Sequence, residues 1–232
     1  MSQQQGPTGM SRAMGSSIAI GRVSTTEAIV RELRAQILDG TLPAGTHLRE
    51  VELSERLGVS RQSLRAALAE LTFRGLLHRE PHRGVKVPTL TRGDVRDIYD
   101  MRRVIEGEAV RRVALDRDPS RLALVDAAVE ALEQLPDDVS WSAVAEADVA
   151  IHRAVVEAAG SQRLLRAADL FTAEMLLIVV PAQHYMRPSE MAVEHRELLD
   201  IIRSGDPDAA RARFERHLDL GTDDLLAFVP EG

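Results

Sequence analysis

Apolar residues recur at three- and four-residue spacing over most of this chain, which is the signature of amphipathic helices. Ile29, Leu33, Ile37 and Leu38 predict a helix over 24–39, capped by Ser24 or Thr25 and ended by Gly40. Residues 41–45 read as a turn that delivers Leu48 and Arg49 to a second, short helix, closed by Leu53, Arg56 and Leu57. Gly58 can take a backbone conformation barred to other residues, and Ser60 can cap the free N–H groups of a third helix. That helix has its stripe at Leu64, Ala67, Leu68 and Leu71. Residues 76–79 and 85–87 then read as two short strands joined through Pro81, His82, Arg83 and Gly84. The order predicts a winged helix-turn-helix. Arg61, Gln62 and Arg65 lie off the apolar stripe near the start of the third helix, where a recognition helix carries base-reading side chains. The basic wing tip is placed to reach a phosphate or the minor groove.

From Asp94 onward every segment has helical period. Helices are expected at about 94–116, 119–135, 140–159, 161–180, 188–204 and 206–226, with breaks at Asp118-Pro119, Pro136, Gly160, Pro181 with Pro188, and Gly205-Asp206-Pro207. Six helices with short connections imply an antiparallel all-α bundle. The expected fold is therefore mainly α: a polar, disordered tail over 1–22, a winged helix-turn-helix over 23–88, a linker over 89–93, and a helical module over 94–228.

Charge sharpens this division. The net charge is −7, but residues 1–92 carry +5 and residues 93–232 carry −12. A basic module joined to an acidic one suits a protein with a single nucleic-acid face. The longest apolar run, 175–182, is far shorter than the roughly 20 residues that span a bilayer, so no membrane partner is expected. No positively charged, apolar signal segment opens the chain. Cysteine is absent, which excludes disulfides and thiolate metal sites and fits a reducing cytoplasm.

Candidate chemistry sits inside the helical half. Asp148 and His152, four residues apart, share one side of a helix that continues as Val155, Val156 and Ala159. His195 shares a stripe with Leu198, Leu199 and Ile202, and His217 sits beside Phe214 and Leu218. Burying such groups unpaired costs on the order of several kcal/mol. A single histidine on an apolar stripe is more often a hydrogen-bonded core residue, but four such groups favour a divalent cation, with zinc first and nickel or manganese as alternatives. His47, His78, His82 and His184 fall in turns, wing or loop, away from this set.

The stretch LREVELSERLGVSRQSLRAALAELTFRGLLHREPHRGVKV resembles the N-terminal domain of the GntR family of bacterial transcription regulators. The segments YDMRRVIEGEAV, ADVAIHRAVVEAAG, EHRELLDIIRSGDPDAA and ERHL resemble, in order and spacing, the FadR-type C-terminal domain called FCD, in its shorter, VanR-like six-helix version. The resemblance implies a homodimer that reads a palindromic DNA operator and binds a small organic acid or sugar acid in its helical half. It places Ser60, Arg61, Gln62 and Arg65 at DNA, with His82, Arg83 and Gly84 at the wing tip. It also matches Asp148, His152, His195 and His217 to the metal motif and sets Arg102 opposite an effector carboxylate. An ordinary intrahelical pair of Arg102 with Glu106, exposed and weak, is the bland alternative. The family's usual DNA-contacting Arg is replaced here by Val51, with Arg49, two residues earlier, as a candidate substitute, and Ser161 stands where an Asn is common.

The expected function is a ligand-gated regulator, acting as a repressor, in the cytoplasm and on the nucleoid. Two rivals stand beside it: a regulator for which the metal itself is the signal, and a metal-dependent enzyme with an accessory DNA module. For the enzyme no His or Glu is left over beside the motif residues as a general base, so no catalytic residue is assigned.

Overall fold

The computed structural model describes residues 24–81, 83–183, 186–229 and 231, and it is built almost wholly of helices. α1 (Thr25–Leu38) starts at a reciprocal cap: the Ser24 hydroxyl accepts from the Glu27 amide, and the Glu27 carboxylate accepts from the Ser24 amide. α2 (Glu50–Leu57) ends at Gly58, whose φ of 65° lets the chain turn sharply into α3 (Arg61–Phe73). Ser60 caps α3 by accepting from the Ser63 amide at 3.1 Å. The wing strands are β2 (His78–Glu80) and β3 (Gly84–Lys86). They gain a third strand that the periodicity does not announce, β1 (His47–Leu48), and the antiparallel order is β1-β3-β2. Leu48 thus belongs to the sheet rather than to the following helix, because its partner, Val85, is remote in sequence.

The second half runs through α4 (Arg92–Asp116), α5 (Pro119–Glu133), α6 (Trp141–Ala158), α7 (Gln162–Asp169), α8 (Thr172–Val179), a 3-10 turn (Val180–Ala182), α9 (Pro188–Ser204) and α10 (Pro207–Leu226). Thr91 and Asp94 form another reciprocal cap, and Asp118-Pro119 and Asp206-Pro207 start α5 and α10 with a capping carboxylate ahead of a proline. The single helix expected over 161–180 is two, so seven α-helices rather than six are found here among the described residues. The reason is burial: α7 buries only Leu165 and Ala168, whereas α8 buries Ala173, Met175, Leu176, Ile178 and Val179 and must turn inward at Leu170 and Phe171. α4 packs on α10 and α6, and α5 packs on α6 and α9. Among the described residues no helix is long and apolar enough to cross a membrane. The expected disordered tail lies outside the described residues.

The two halves meet through α1, which packs against α3 on one side and against α6 and α8 on the other. Arg34 pairs with Glu146 at 2.8 Å. α6 makes no side-chain cap of its own at Ser140; instead the carboxylate of Asp39, at the end of α1, accepts from the Ser142 amide at 2.7 Å. The helix that carries Asp148 and His152 is therefore capped by the other module.

Candidate metal centre and recognition surface

Asp148 and His152 come from α6, His195 from α9 and His217 from α10. The fold brings all four together. The Nε2 atom of His152 lies 3.5 Å from Nε2 of His195 and 3.5 Å from Nε2 of His217. An oxygen of Asp148 is 3.4 Å from His195 Nε2 and 4.0 Å from His152 Nε2. Asp148, His152 and His195 are buried, and His217 is partly so.

Each imidazole is oriented by its other nitrogen. Nδ1 of His152 donates to Glu106 at 2.9 Å, Nδ1 of His195 to the Met191 carbonyl at 2.7 Å, and Nδ1 of His217 to Glu194 at 3.0 Å. These partners only accept while the carboxylates are ionised. Glu106 is opposed by burial, but the Arg102 guanidinium and His152 hold it down at about 2. The hydrogen bond from His217 lowers Glu194 as well. Burial pushes His195 down to about 4 and lowers His152, which keeps both rings neutral near pH 7. The Nδ1 contacts turn the three Nε2 atoms toward one another, with the Asp148 carboxylate beside His195 and His152.

The three histidines each offer a ligand nitrogen within 4.8 Å of the others, and Asp148 stands beside two of them. A water offers two hydrogens to three such nitrogens, whereas a divalent cation satisfies all three. Tetrahedral zinc with Zn–N bonds of about 2.0–2.1 Å separates its ligands by about 3.3–3.4 Å, close to the 3.5 Å between His152 Nε2 and each of the other two Nε2 atoms. The donor set and its outer partners therefore fit a zinc-like ion.

Arg102 pairs with Glu106 as the alternative reading expects, but the pair is buried rather than exposed. They are 3 % and 1 % exposed, and the guanidinium donates to both carboxylate oxygens, at 2.8 and 3.4 Å, while stacking over the Tyr99 ring at 4.6 Å. The signal was present, since Val95, Tyr99, Arg102, Glu106, Ala109 and Val113 follow one another at helical spacing and are all buried. Arg102, Tyr99, Asp148, His152 and His217 line a cavity of about 50 Å³ that continues past Leu218 and Gly221. No sequence signal marks Glu194 or the Met191 carbonyl as orienting groups.

On the opposite module, Ser60 caps α3 and Arg61, Gln62 and Arg65 lie on its first turns, all four exposed. Arg61 and Gln62 make no side-chain hydrogen bond among the described residues, whereas Arg65 donates through Nε to Glu50 on α2. Arg49 pairs with Glu52 at 3.0 Å. Val51 is exposed. Arg83 is exposed at the wing turn, and Gly84 begins β3 with φ of 86°. His82 lies outside the described residues. At the base of the wing, Lys86 donates to Glu80 at 2.6 Å.

The profile of the bacterial regulatory proteins, gntR family, matches residues 25–87, and that of the FCD domain matches residues 97–220. The chain is 31% identical to a probable D-xylose utilization operon transcriptional repressor of Paenarthrobacter nicotinovorans, over 79% of this chain and 80% of the relative. It is 30% identical to the HTH-type transcriptional regulator Mce2R of Mycobacterium tuberculosis, over 90% and 95% of the two chains. Among solved structures, a putative transcriptional regulator GntR from Rhodococcus sp. RHA1 superposes with a TM-score of 0.69 at 26% identity, covering 87% of this chain and 97% of the other. McbR/YncC of E. coli shares the fold at 20% identity, with a TM-score of 0.67 and coverage of 89% and 99%.

Proposed function

Since this chain belongs to the GntR family of bacterial regulatory proteins and carries an FCD domain behind its winged helix, we propose that it is a metal-containing, ligand-responsive repressor. It is a DNA-binding transcription regulator of that family rather than an enzyme. In the proposal two copies read a palindromic operator in the cytoplasm. Ser60, Arg61, Gln62 and Arg65 contact the major groove, and His82, Arg83 and Gly84 reach the backbone from the wing. Arg49 supplies the cation that the apolar Val51 side chain does not offer to DNA. Asp148, His152, His195 and His217 hold a divalent cation, which would supply an electrophilic centre for an organic acid or sugar acid. Arg102 would neutralise the acid's charge from the cavity wall. The observation that carries the reading is the buried convergence of three Nε2 atoms and one carboxylate, each imidazole held from behind. The relative named as a D-xylose operon repressor supports the direction of control.

Control requires a ligand that binds the DNA-competent and DNA-incompetent arrangements differently. α6 is the element the two sites share, with Asp39 and Arg34 of the DNA module at its start and two metal ligands further along.

One observation favours the second reading, a sensor of the metal itself. The cavity of about 50 Å³ has room for a few water-sized groups, and Arg102 is already engaged by Glu106.

Elemental analysis of the full-length protein should find about one divalent ion per chain, and His195→Ala should lose it; full occupancy in that variant removes His195 from the ligand set. Operator release by chelation alone establishes the metal sensor. Release only on adding a small carboxylate to the metal-loaded protein establishes the acid sensor.

A further inference from the structure

We propose that Glu50 aims Arg65 and is thereby a determinant of which base the recognition helix reads. The proposal rests on the reading of α3 as the DNA-reading helix. Glu50 opens α2, Arg65 lies on the second turn of α3, and the two are joined across the helix-turn-helix by an Nε-to-Oε2 hydrogen bond of 2.5 Å. The Arg65 side chain is 68% exposed and that of Glu50 31%, so the pair sits at the surface that would meet DNA.

The chemistry follows from which nitrogen is taken. With Nε bound to the carboxylate, the two terminal nitrogens of the guanidinium are left over, and they are the donors that can span O6 and N7 of a guanine. A planar guanidinium held by one edge cannot swing to a neighbouring phosphate without giving up a charge-assisted bond. The other candidate arginines are not held this way: Arg61 has no side-chain hydrogen bond among the described residues, and Arg49 pairs only with Glu52 three residues on. Of the two neighbours of Glu50, Val51 carries no charge and Arg49 pairs with Glu52.

Glu50 also places a negative charge on a face that approaches a polyanion. That charge weakens binding to every sequence, while the aimed Arg65 strengthens binding to some. Glu50 is thus a positioning residue that exchanges general affinity for discrimination.

The test is selection of binding sites from a randomised duplex pool by the full-length wild type, Glu50→Ala, Glu50→Gln and Arg65→Ala. Affinity for one fixed random-sequence duplex is measured alongside, over a salt series. The wild type should return a motif with a strongly preferred guanine, and Arg65→Ala should lose that preference by about tenfold or more. Glu50→Ala should lose it at the same position while binding the random duplex more tightly, a gain that simple misfolding does not produce. Glu50→Gln keeps an acceptor oxygen and should retain most of the preference. If Arg65→Ala relaxes the guanine but Glu50→Ala returns the wild-type motif, or weakens all sequences equally, the role of Glu50 is overturned. If Arg65→Ala itself returns the wild-type motif, the reading of Arg65 as a base contact fails instead.

Discussion

Each half of the molecule holds an Arg–Glu pair at hydrogen-bond distance, Arg65 with Glu50 in the DNA module and Arg102 with Glu106 in the bundle. The first joins two helices at the surface, and the second lies within one helix and is buried. An exposed pair contributes about 0–1 kcal/mol to stability, so its use is to orient the Arg65 guanidinium. A buried pair cannot lose one member without leaving a bare charge in a low dielectric. The same two side-chain types therefore form a surface contact in one module and a fixed part of the scaffold in the other, where Glu106 also holds His152.

That contrast is most directly broken by neutralising each carboxylate. Glu106→Gln should destabilise the protein by about 3–5 kcal/mol in denaturant unfolding, because Arg102 stays buried and unpaired. Glu50→Gln should stay within about 0.5 kcal/mol of the wild type. Equal effects would erase the distinction. Next in size, Glu194→Ala removes the group that orients His217 without unburying the core, and should weaken metal binding about 10- to 100-fold in a competition titration. An unchanged affinity would mean that His217 needs no partner.

At the junction, Asp39→Ala removes the only side-chain cap α6 has among the described residues. The expected loss is about 1 kcal/mol of stability, read as a lower Tm, and unchanged melting would show that water replaces the carboxylate at no cost.

The smallest effect concerns pH. Arg196 of α9 donates to Asp126 and Glu133 of α5, and these hydrogen bonds lower both carboxyls from their ordinary values of 3.8 and 4.5. Groups depressed in the folded state contribute stability that is present above their unfolded values and is lost as pH falls through the folded ones. Stability should therefore decline below about pH 4.5, and Arg196→Ala should flatten that decline by about 1 kcal/mol or less, since the network is partly exposed. A parallel curve for the variant would exclude the bridge as its source.

Local signals make most of the fold legible. Ser24, Gly58, Ser60, Thr91, Pro119 and Pro207 each mark a boundary through their own backbone chemistry, and the structure places ends at or beside all of them. β1 is not legible, because two residues gain strand character only by pairing with Val85 and Lys86 far along the chain. The break between α7 and α8 carries neither Pro nor Gly and follows from how much apolar surface each must bury. The metal candidates are legible as polar groups on apolar stripes. Glu106 lies on such a stripe too, but its four-residue spacing from Arg102 suits an exposed pair equally well, and only the packing of α6 and α10 decides between them. Glu194 and Asp39 take their roles from neighbours on other helices.

The cap that Asp39 supplies has a consequence for the centre further along α6. If docking of the two modules completes that helix, docking strength and ligand geometry belong to one thermodynamic cycle, and such cycles run in both directions. A metal or acid that shifts operator affinity by a given factor must have its own affinity shifted by the same factor when the operator binds. DNA would then be an effector of the proposed ion site, and a titration of metal in the presence of operator would measure the regulatory coupling from its far end.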